Sequence, residues 1–136
     1  QLIGKKIVVV KRNKNALYLA SKLRKFESLR IPLPESEIRH AWYRFYVYIK
    51  PEYISENWTR ERIINEINKL GFPAFSGSCG EIYNENCLKE FKNGNLKNAK
   101  LLSDTSLAFL IHPNITKVQM ENYSKAICKV MTSASK

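Results

Sequence analysis

The chain has 136 residues, of which 44% are hydrophobic and 26% charged, and its formal net charge is +11. This length suits one domain with a modest core and excludes two full domains. The apolar run at residues 7–10 is too short for a signal peptide, and no stretch approaches the roughly 20 apolar residues of a membrane span, so we expect a cytoplasmic protein with no membrane partner.

The positive charge is concentrated near the N-terminus. Nine Lys and Arg residues against Glu27 alone give residues 1–30 a net charge of +8. Basic surfaces gain affinity for phosphate backbones by counterion release, but a charge run more often faces solvent, so nucleic-acid binding ranks below other functions. The cysteines, Cys79, Cys87 and Cys128, are odd in number and lack CxxC spacing, which indicates neither a disulfide framework nor a metal site.

The first predicted element is an amphipathic helix from Asn13 to Phe26. Apolar residues recur there at the spacing of one helix face. They are Ala16, Leu19, Ala20, Leu23 and Phe26. Residues 1–12 are predicted to be an inter-domain connector or the start of this helix. Pro32 and Pro34 prevent its continuation.

The segment from His40 to Ile49 is the clearest strand, because aromatic and β-branched residues dominate it and Pro51 follows it. Alternation assigns five residues to one side of the strand. They are Ala41, Tyr43, Phe45, Val47 and Ile49. The two tryptophans, Trp42 and Trp58, are expected in the core.

A second helix follows Thr59, a residue suited to capping a helix N-terminus. Its shared apolar face contains Ile63, Ile64, Ile67 and Leu70. Gly71 can adopt the left-handed conformation after the helix. Residues 74–76 are predicted to be a short strand, residues 81–91 a loop or short helices of undefined geometry, and residues 98–102 one helical turn.

The C-terminal part predicts an apolar strand at 107–111 and then the clearest helix. Thr116 and Gln119 form a capping box, and Ile115 and Met120 occupy the positions of a hydrophobic staple. The helix continues one apolar face through Met120, Tyr123, Ile127 and Val130. The elements predict an α+β fold, a small antiparallel or mixed sheet of three to four short strands covered on one face by helices.

Four stretches together carry a family resemblance. They are Arg12-Asn-Lys-Asn-Ala16, His40-Ala-Trp-Tyr-Arg-Phe45, Gly71-Phe-Pro73 and Ser106-Leu-Ala-Phe-Leu-Ile-His-Pro113. In this order and spacing they resemble the C-terminal part of DegT-type sugar aminotransferases, from about Lys11 to the end of the chain. That family consists of pyridoxal-phosphate enzymes of the aspartate-aminotransferase fold, which transfer an amino group to nucleotide-linked keto-sugars.

The resemblance implies that residues 13–136 are a single small domain and that the large cofactor-binding domain lies outside this sequence. In the family, the lysine that binds pyridoxal phosphate and most of the phosphate site belong to that large domain. No catalytic residue is therefore expected in this chain, which is predicted to be inactive alone. The full-length enzyme is expected to bind a nucleotide sugar and an amino donor, to form a homodimer, and to serve surface-polysaccharide or glycan biosynthesis.

The domain is expected to form a wall or lid of the substrate cleft. The candidate substrate-binding residues are His40, Tyr43, Arg44, Ser76, Gly77, Ser78, Tyr83 and His112. A guanidinium can bind a diphosphate through two parallel hydrogen bonds, and glycines let a backbone approach a ligand closely. Gly77 stands where the family more often has a histidine, so no contact is inferred from that histidine. Cys79 has no His-plus-acid pair beside it, and a packing role is expected.

Two alternatives stay open. Relatives on the same scaffold are dehydratases, with a histidine in place of the lysine, or regulatory proteins. The other alternative is a free-standing basic nucleic-acid-binding module that uses the first helix. Under the favoured hypothesis, the apolar run Ile7–Val10 is expected to cover surface of the absent domain or of a partner chain, and the chain alone is expected to self-associate through it.

Overall fold

The computed structural model describes residues 2–77, 80–91, 94 and 96–136. The helices are α1 (Leu2–Leu23), α2 (Arg60–Lys69), α3 (Lys97–Thr105) and α4 (Lys117–Ala134). The strands are β1 (Leu29–Arg30), β2 (Phe45–Ile49), β3 (Ala74–Ser76) and β4 (Ser106–Phe109). Short 3-10 helices lie at Pro51–Tyr53, Ile82–Asn84 and Asn86–Phe91.

The four strands form one sheet in the order β1-β2-β4-β3, and every neighbouring pair is antiparallel. Phe109 lies opposite Phe45 on one side and Ala74 on the other. This register places large apolar side chains of β2 and β4 in one row across the sheet. The predicted α+β fold with a small antiparallel sheet is confirmed.

The core lies between one face of the sheet and the helices α1, α2 and α4. Its sheet side is built by alternate residues of β2 and β4, and its helix side by residues at helical spacing. Fully buried side chains include Phe45, Val47, Leu107, Phe109, Leu19, Leu23, Ile63, Ile67, Met120 and Ile127. Within the predicted face of α2, Ile64 is half-buried and Leu70 is 40% exposed, because Leu70 caps the helix rather than continuing it.

The first helix differs in both bounds from the prediction of 13–26. It begins at Leu2, so residues 2–12 are helix, and it ends at Leu23, which leaves Phe26 half-buried outside it. The predicted strand 107–111 is shifted to 106–109, and the helical turn 98–102 extends to 97–105. The two-residue strand β1 had no sequence signal, since alternation needs more residues to be visible.

The predicted helix ends are confirmed at three places. Thr59 Oγ1 accepts a hydrogen bond from the Arg62 amide at 3.1 Å. Gly71 has a φ of +83°, the left-handed conformation expected after α2. Thr116 Oγ1 accepts from the Gln119 amide at 3.2 Å while the Thr116 amide donates to Gln119 Oε1 at 2.9 Å, which completes the capping box of α4.

Helices lie on both faces of the sheet. A cavity of about 240 Å³ is lined by Tyr46 and Tyr48 of β2 and by Ala99, Leu102 and Ser103 of α3. Both tyrosines are half-buried, and they alternate with the core residues of β2, so α3 partly covers the second face. We call the uncovered remainder, around Arg44 and Phe75, the open face. Within the described ranges, no helix has the length and apolar character needed to cross a membrane.

Candidate functional site

A sharp corner in the backbone precedes β2. Trp42 has a φ of +51°, and among the described residues other than glycine it alone has a positive φ. For an L-residue with a large side chain this conformation costs about 1–2 kcal/mol. A cost of this size persists only where surrounding contacts fix the residue.

Three contacts fix the corner. The Trp42 side chain is 4% exposed and packs against Phe45 with ring centroids 5.7 Å apart. Its indole Nε1 donates to Asn13 Oδ1 of α1 at 2.9 Å. Its amide donates to His40 Nδ1 at 3.1 Å, and the two rings meet edge to face at 4.3 Å. The corner is therefore held by α1, by the sheet and by His40, two residues before Trp42.

The corner changes which residues face the core. The predicted strand began at His40 and put Ala41 and Tyr43 on the same side as Phe45. In the structure β2 begins only at Phe45, and Ala41 and Tyr43 are exposed while Trp42 and Phe45 are buried. A positive φ shifts the chain out of the regular pleat, so the alternation seen within β2 does not extend back through Trp42. The extension of the strand back to His40, with Ala41 and Tyr43 on the side of Phe45, was wrong. The placement of Trp42 in the core was right.

Tyr43, Arg44 and Phe75 form a group on the open face that we call the Arg44 stack. Tyr43 is 78% exposed and Phe75 is 38% exposed. The guanidinium carbon of Arg44 lies 4.9 Å from the ring centroid of Phe75 and 5.9 Å from that of Tyr43. Phe75 was not a predicted site residue, although a large aromatic residue after the small Ala74 in a short strand was a usable signal.

Gly77 follows β3 and lies very close to β4. Its amide donates to Ser106 Oγ at 2.9 Å. A Cβ atom at this position would lie 2.4 Å from the same Oγ, so no other residue fits without displacement. Ser76 is exposed and follows Phe75 in the strand, so the two side chains point to opposite faces. Ser78, the third predicted residue of this loop, and Cys79 lie outside the described residues.

Tyr83 lies in the segment that connects β3 to α3, and it is 8% exposed. Its hydroxyl donates to the Glu81 carboxylate and accepts from the Leu96 amide at 3.3 Å. The hydrogen bond to Glu81 raises the pKa of the Tyr83 phenol above its ordinary value, with a smaller contribution from burial. These contacts tie both ends of the segment together, and none of them joins Tyr83 to the Arg44 stack.

The two histidines are held next to α1. His40 is exposed and accepts the Trp42 amide, as described above. His112 is also exposed: its Nδ1 accepts from the Asn114 amide at 3.3 Å, and its carbonyl accepts from Asn15 Nδ2 at 3.1 Å. In the neutral imidazole an accepting Nδ1 leaves the proton on Nε2. Each ring can therefore donate one hydrogen bond outward.

The predicted site residues thus fall into separate places. Tyr43 and Arg44 share the open face, and Gly77 lies at its rim beside Tyr46. His40 and His112 flank α1, and Tyr83 belongs to the connecting segment. Among the described side chains, no group of three or more His, Cys, Asp or Glu residues is arranged to hold a metal ion.

The basic side chains of α1 that the structure describes form no salt bridge. Four salt bridges are formed between described side chains, and none involves a residue of α1. The structure describes three lysine side chains of α1, and all are exposed: Lys11, Lys14 and Lys22. Every other lysine whose side chain is described is exposed too, apart from the half-buried Lys50.

Neither a protein-family model nor a curated protein matches the chain. Solved structures do. The aminotransferase from Psychrobacter cryohalolentis is similar over 98% of this chain and 36% of its own, with 35% identity and a TM-score of 0.91. A DegT DnrJ EryC1 StrS aminotransferase from Brucella abortus is similar over 90% and 31%, with 17% identity and a TM-score of 0.72. The E. coli GDP-4-keto-6-deoxy-D-mannose-3-dehydratase with bound hydrated PLP is similar over 88% and 30%, with 18% identity and a TM-score of 0.70.

These similarities place the chain in a class defined by fold: it is an α+β domain of the kind found in aminotransferase structures, and it spans about a third of their length. The likeness to the Psychrobacter protein extends from fold to sequence, since 35% of the aligned residues are identical. The resemblance to DegT-type sugar aminotransferases that the four sequence stretches indicated is thereby confirmed.

Proposed function

We propose that this chain is the small domain of a pyridoxal-phosphate-dependent aminotransferase that acts on a nucleotide-linked keto-sugar. The observation that carries the proposal is the 35% identity to the Psychrobacter aminotransferase across 98% of the chain. An identity at this level, with a TM-score of 0.91, supports a common role as well as a common fold. We further propose that the full-length enzyme works in the cytoplasm as a homodimer in surface-polysaccharide or glycan biosynthesis.

The chain supplies substrate contacts rather than the reacting lysine. Pyridoxal phosphate, when bound, supplies an electron sink for the carbon that loses or gains the amino group. Apart from the half-buried Lys50, every lysine whose side chain the structure describes is exposed, which supports a cofactor site formed by the rest of the protein. The chain by itself is accordingly proposed to be inactive.

The open face of the sheet is proposed as a wall or lid of the substrate cleft. It presents the Arg44 stack, and Gly77 lies close to Tyr46 and Ser106. Exposed aromatic rings can contact a sugar or base, and a guanidinium can contact a diphosphate. His40 and His112 each have an outward N–H, so they are secondary candidates.

The first half of α1 is proposed to pack against the remainder of the protein or a second copy. Ile7 is 53% exposed and Val10 is 49% exposed, and both lie near the start of the helix. Arg12 Nε is buried without a hydrogen-bond partner among the described residues. An unpaired buried donor beside exposed apolar residues supports a missing neighbour that supplies an acceptor.

The test is to extend the reading frame upstream, produce the longer protein and measure its visible absorption. We expect a band from bound pyridoxal phosphate that borohydride reduces, and transfer of an amino group from an amino acid to a nucleotide keto-sugar. The 136-residue chain is the matched control and should show neither. A longer protein without cofactor, or a stoichiometric borohydride-trapped adduct on one lysine of the 136-residue chain, would contradict the proposal.

The second candidate function is that of a sugar dehydratase, and the similarity to the E. coli dehydratase favours it. The same longer protein separates the two, because a dehydratase would release water from the sugar without incorporating nitrogen. A histidine where the aminotransferases have the reacting lysine would also favour dehydration. The nucleic-acid alternative would require duplex DNA or RNA to bind the chain with a steep loss of affinity as salt increases.

A further inference from the structure

The guanidinium carbon of Arg44 lies 4.9 Å from the ring centroid of Phe75 and 5.9 Å from that of Tyr43, and both rings are exposed. We propose that this arrangement is a site for a phosphate or diphosphate group, with Phe75 as the positioning residue. The inference rests on the proposed function, since it names the group of the substrate that Arg44 would bind. Phe75 acts through Arg44 and not by contact with the reacting atoms.

The arginines of α2 donate hydrogen bonds to protein acceptors, whereas Arg44 donates none to the described residues. Arg60 bonds the Glu61 carboxylate and the Ser103 carbonyl, and Arg62 donates to the Asn57 carbonyl at 2.6 Å. Arg44 takes part in none of the hydrogen bonds or salt bridges formed among the described side chains, although it is half-buried. Its N–H groups therefore remain available to an incoming anion.

Stacking leaves the hydrogen-bonding edge of a guanidinium free. The attraction between the cation and the faces of the rings acts perpendicular to the plane of the group, whereas its donors point within that plane. The Phe75 ring at 4.9 Å can thus restrict the side chain of Arg44 without occupying a donor. Fewer accessible rotamers mean a smaller entropic cost when a phosphate binds.

The backbone supports the same geometry. Ala108 of β4 lies between Tyr46 and Phe75 in the strand register, so a small residue separates two rings on the open face. Tyr43 lies between the corner at Trp42 and the start of β2, outside the regular pleat, and its ring centroid lies 5.9 Å from the guanidinium carbon of Arg44. Phe75 lies on β3, and Arg44 directly precedes β2, so the sheet fixes the positions of both residues.

The test uses inorganic pyrophosphate as the probe and its affinity, measured by isothermal titration calorimetry, as the readout for every variant. In the variants that keep Arg44, a shift of its Nε–Hε NMR signal shows that the pyrophosphate binds at this side chain. We expect Arg44→Lys to weaken binding about tenfold, or about 1.4 kcal/mol, because a lysine cannot bind bidentately. Phe75→Leu should weaken it about fivefold, and Phe75→Tyr should restore it because the ring is retained. Tyr48→Leu is the matched control, since it removes the ring under Arg30, whose guanidinium lies 4.3 Å away at the other edge of the sheet.

The proposal is overturned if Phe75→Leu and Phe75→Tyr bind pyrophosphate equally, or if Tyr48→Leu weakens binding at Arg44 as much as Phe75→Leu does. Should Phe75→Leu fold poorly, Tyr43→Leu removes the other ring from a side chain that is 78% exposed, and an unchanged affinity there counts against the two-ring site. A longer protein that lacks pyridoxal phosphate would defeat the proposed function while leaving this binding result standing.

Discussion

The indole nitrogen of Trp42 donates a hydrogen bond to the side-chain oxygen of Asn13 at 2.9 Å, and this bond joins the first helix to the start of β2. Two residues further along α1, Asn15 Nδ2 donates to the His112 carbonyl beyond the end of β4. The two asparagines of the stretch Arg12-Asn-Lys-Asn-Ala16 therefore hold the chain just before β2 begins and just after β4 ends. Ala16 is fully buried beneath them.

Replacement of Asn13 by Ala should destabilise the corner at Trp42. The indole N–H would lose its acceptor in a part-buried position, so we expect the free energy of unfolding to fall by about 1–2 kcal/mol. Urea unfolding followed by tryptophan fluorescence in a Trp58→Phe background reports on Trp42 alone. Asn65→Ala, an exposed asparagine of α2, is the control and should change little. Equal effects of the two substitutions would mean that the bond does not stabilise the corner.

Loss of the N-terminal cap of α4 should lower the stability of the protein by a measurable amount. Thr116→Ala removes the acceptor for the Gln119 amide, and we expect the protein to lose about 1 kcal/mol of stability. Thr132→Ala, at an exposed position of the same helix, keeps the cap and should lie within about 0.5 kcal/mol of the parent. Amide hydrogen exchange at Gln119 should accelerate only in Thr116→Ala. Unaltered exchange there would show that the cap does not hold the first turn.

The close approach of Gly77 to Ser106 predicts strong coupling between the two positions. In Gly77→Ala the new Cβ would meet Ser106 Oγ at 2.4 Å and Ser106 Cβ at 3.0 Å, and β4 is buried there. We expect a loss of about 1–3 kcal/mol, as for other overpacked sites. In a Ser106→Gly background the same alanine should cost little, because both clashing atoms are absent. A double-mutant cycle by urea unfolding tests this, and additive effects would contradict the steric explanation.

The caps and helix faces could be predicted from sequence because their signals are local. Thr59, Gly71 and the pair Thr116 and Gln119 act within one turn of helix, and each occupies its expected role. The apolar faces of α1 and α4 likewise follow from helical spacing. The tertiary arrangement could only be inferred through the family resemblance.

The features that sequence reasoning missed depend on contacts between distant residues. Alternation across residues 40–49 predicted a regular strand, whereas bonds from Trp42 to Asn13 and His40 stabilise a left-handed backbone that the sequence does not favour. The role of Phe75 depends on Arg44, 31 positions earlier in the chain, which becomes its neighbour only through β4. Tertiary contacts override local preference at both places, and both lie beside the candidate site.

The last prediction concerns Tyr123 and the stability of the protein in alkali. Tyr123 is 3% exposed, and its hydroxyl donates to the Pro73 carbonyl and accepts from the Leu110 amide at 3.3 Å. Burial raises the pKa of this phenol well above its ordinary value of 10.0. Tyr123→Phe leaves a carbonyl and an amide without their partner, so near neutral pH we expect unfolding to become easier by about 1–2 kcal/mol.

The difference in the free energy of unfolding between the parent and Tyr123→Phe should shrink as the pH rises. Above pH 10.0 the unfolded chain releases the phenolic proton while the folded chain retains it, because folding raises the pKa of Tyr123. The unfolded state then binds fewer protons, so this contribution to stability is complete below pH 10.0 and is lost as the pH rises toward the folded-state pKa. Urea unfolding of the parent, of Tyr123→Phe and of Tyr53→Phe, at an exposed tyrosine, should be compared at about pH 8 and about pH 11. A difference between parent and Tyr123→Phe that stays constant, while Tyr53→Phe follows the parent, would show that Tyr123 titrates alike in both states.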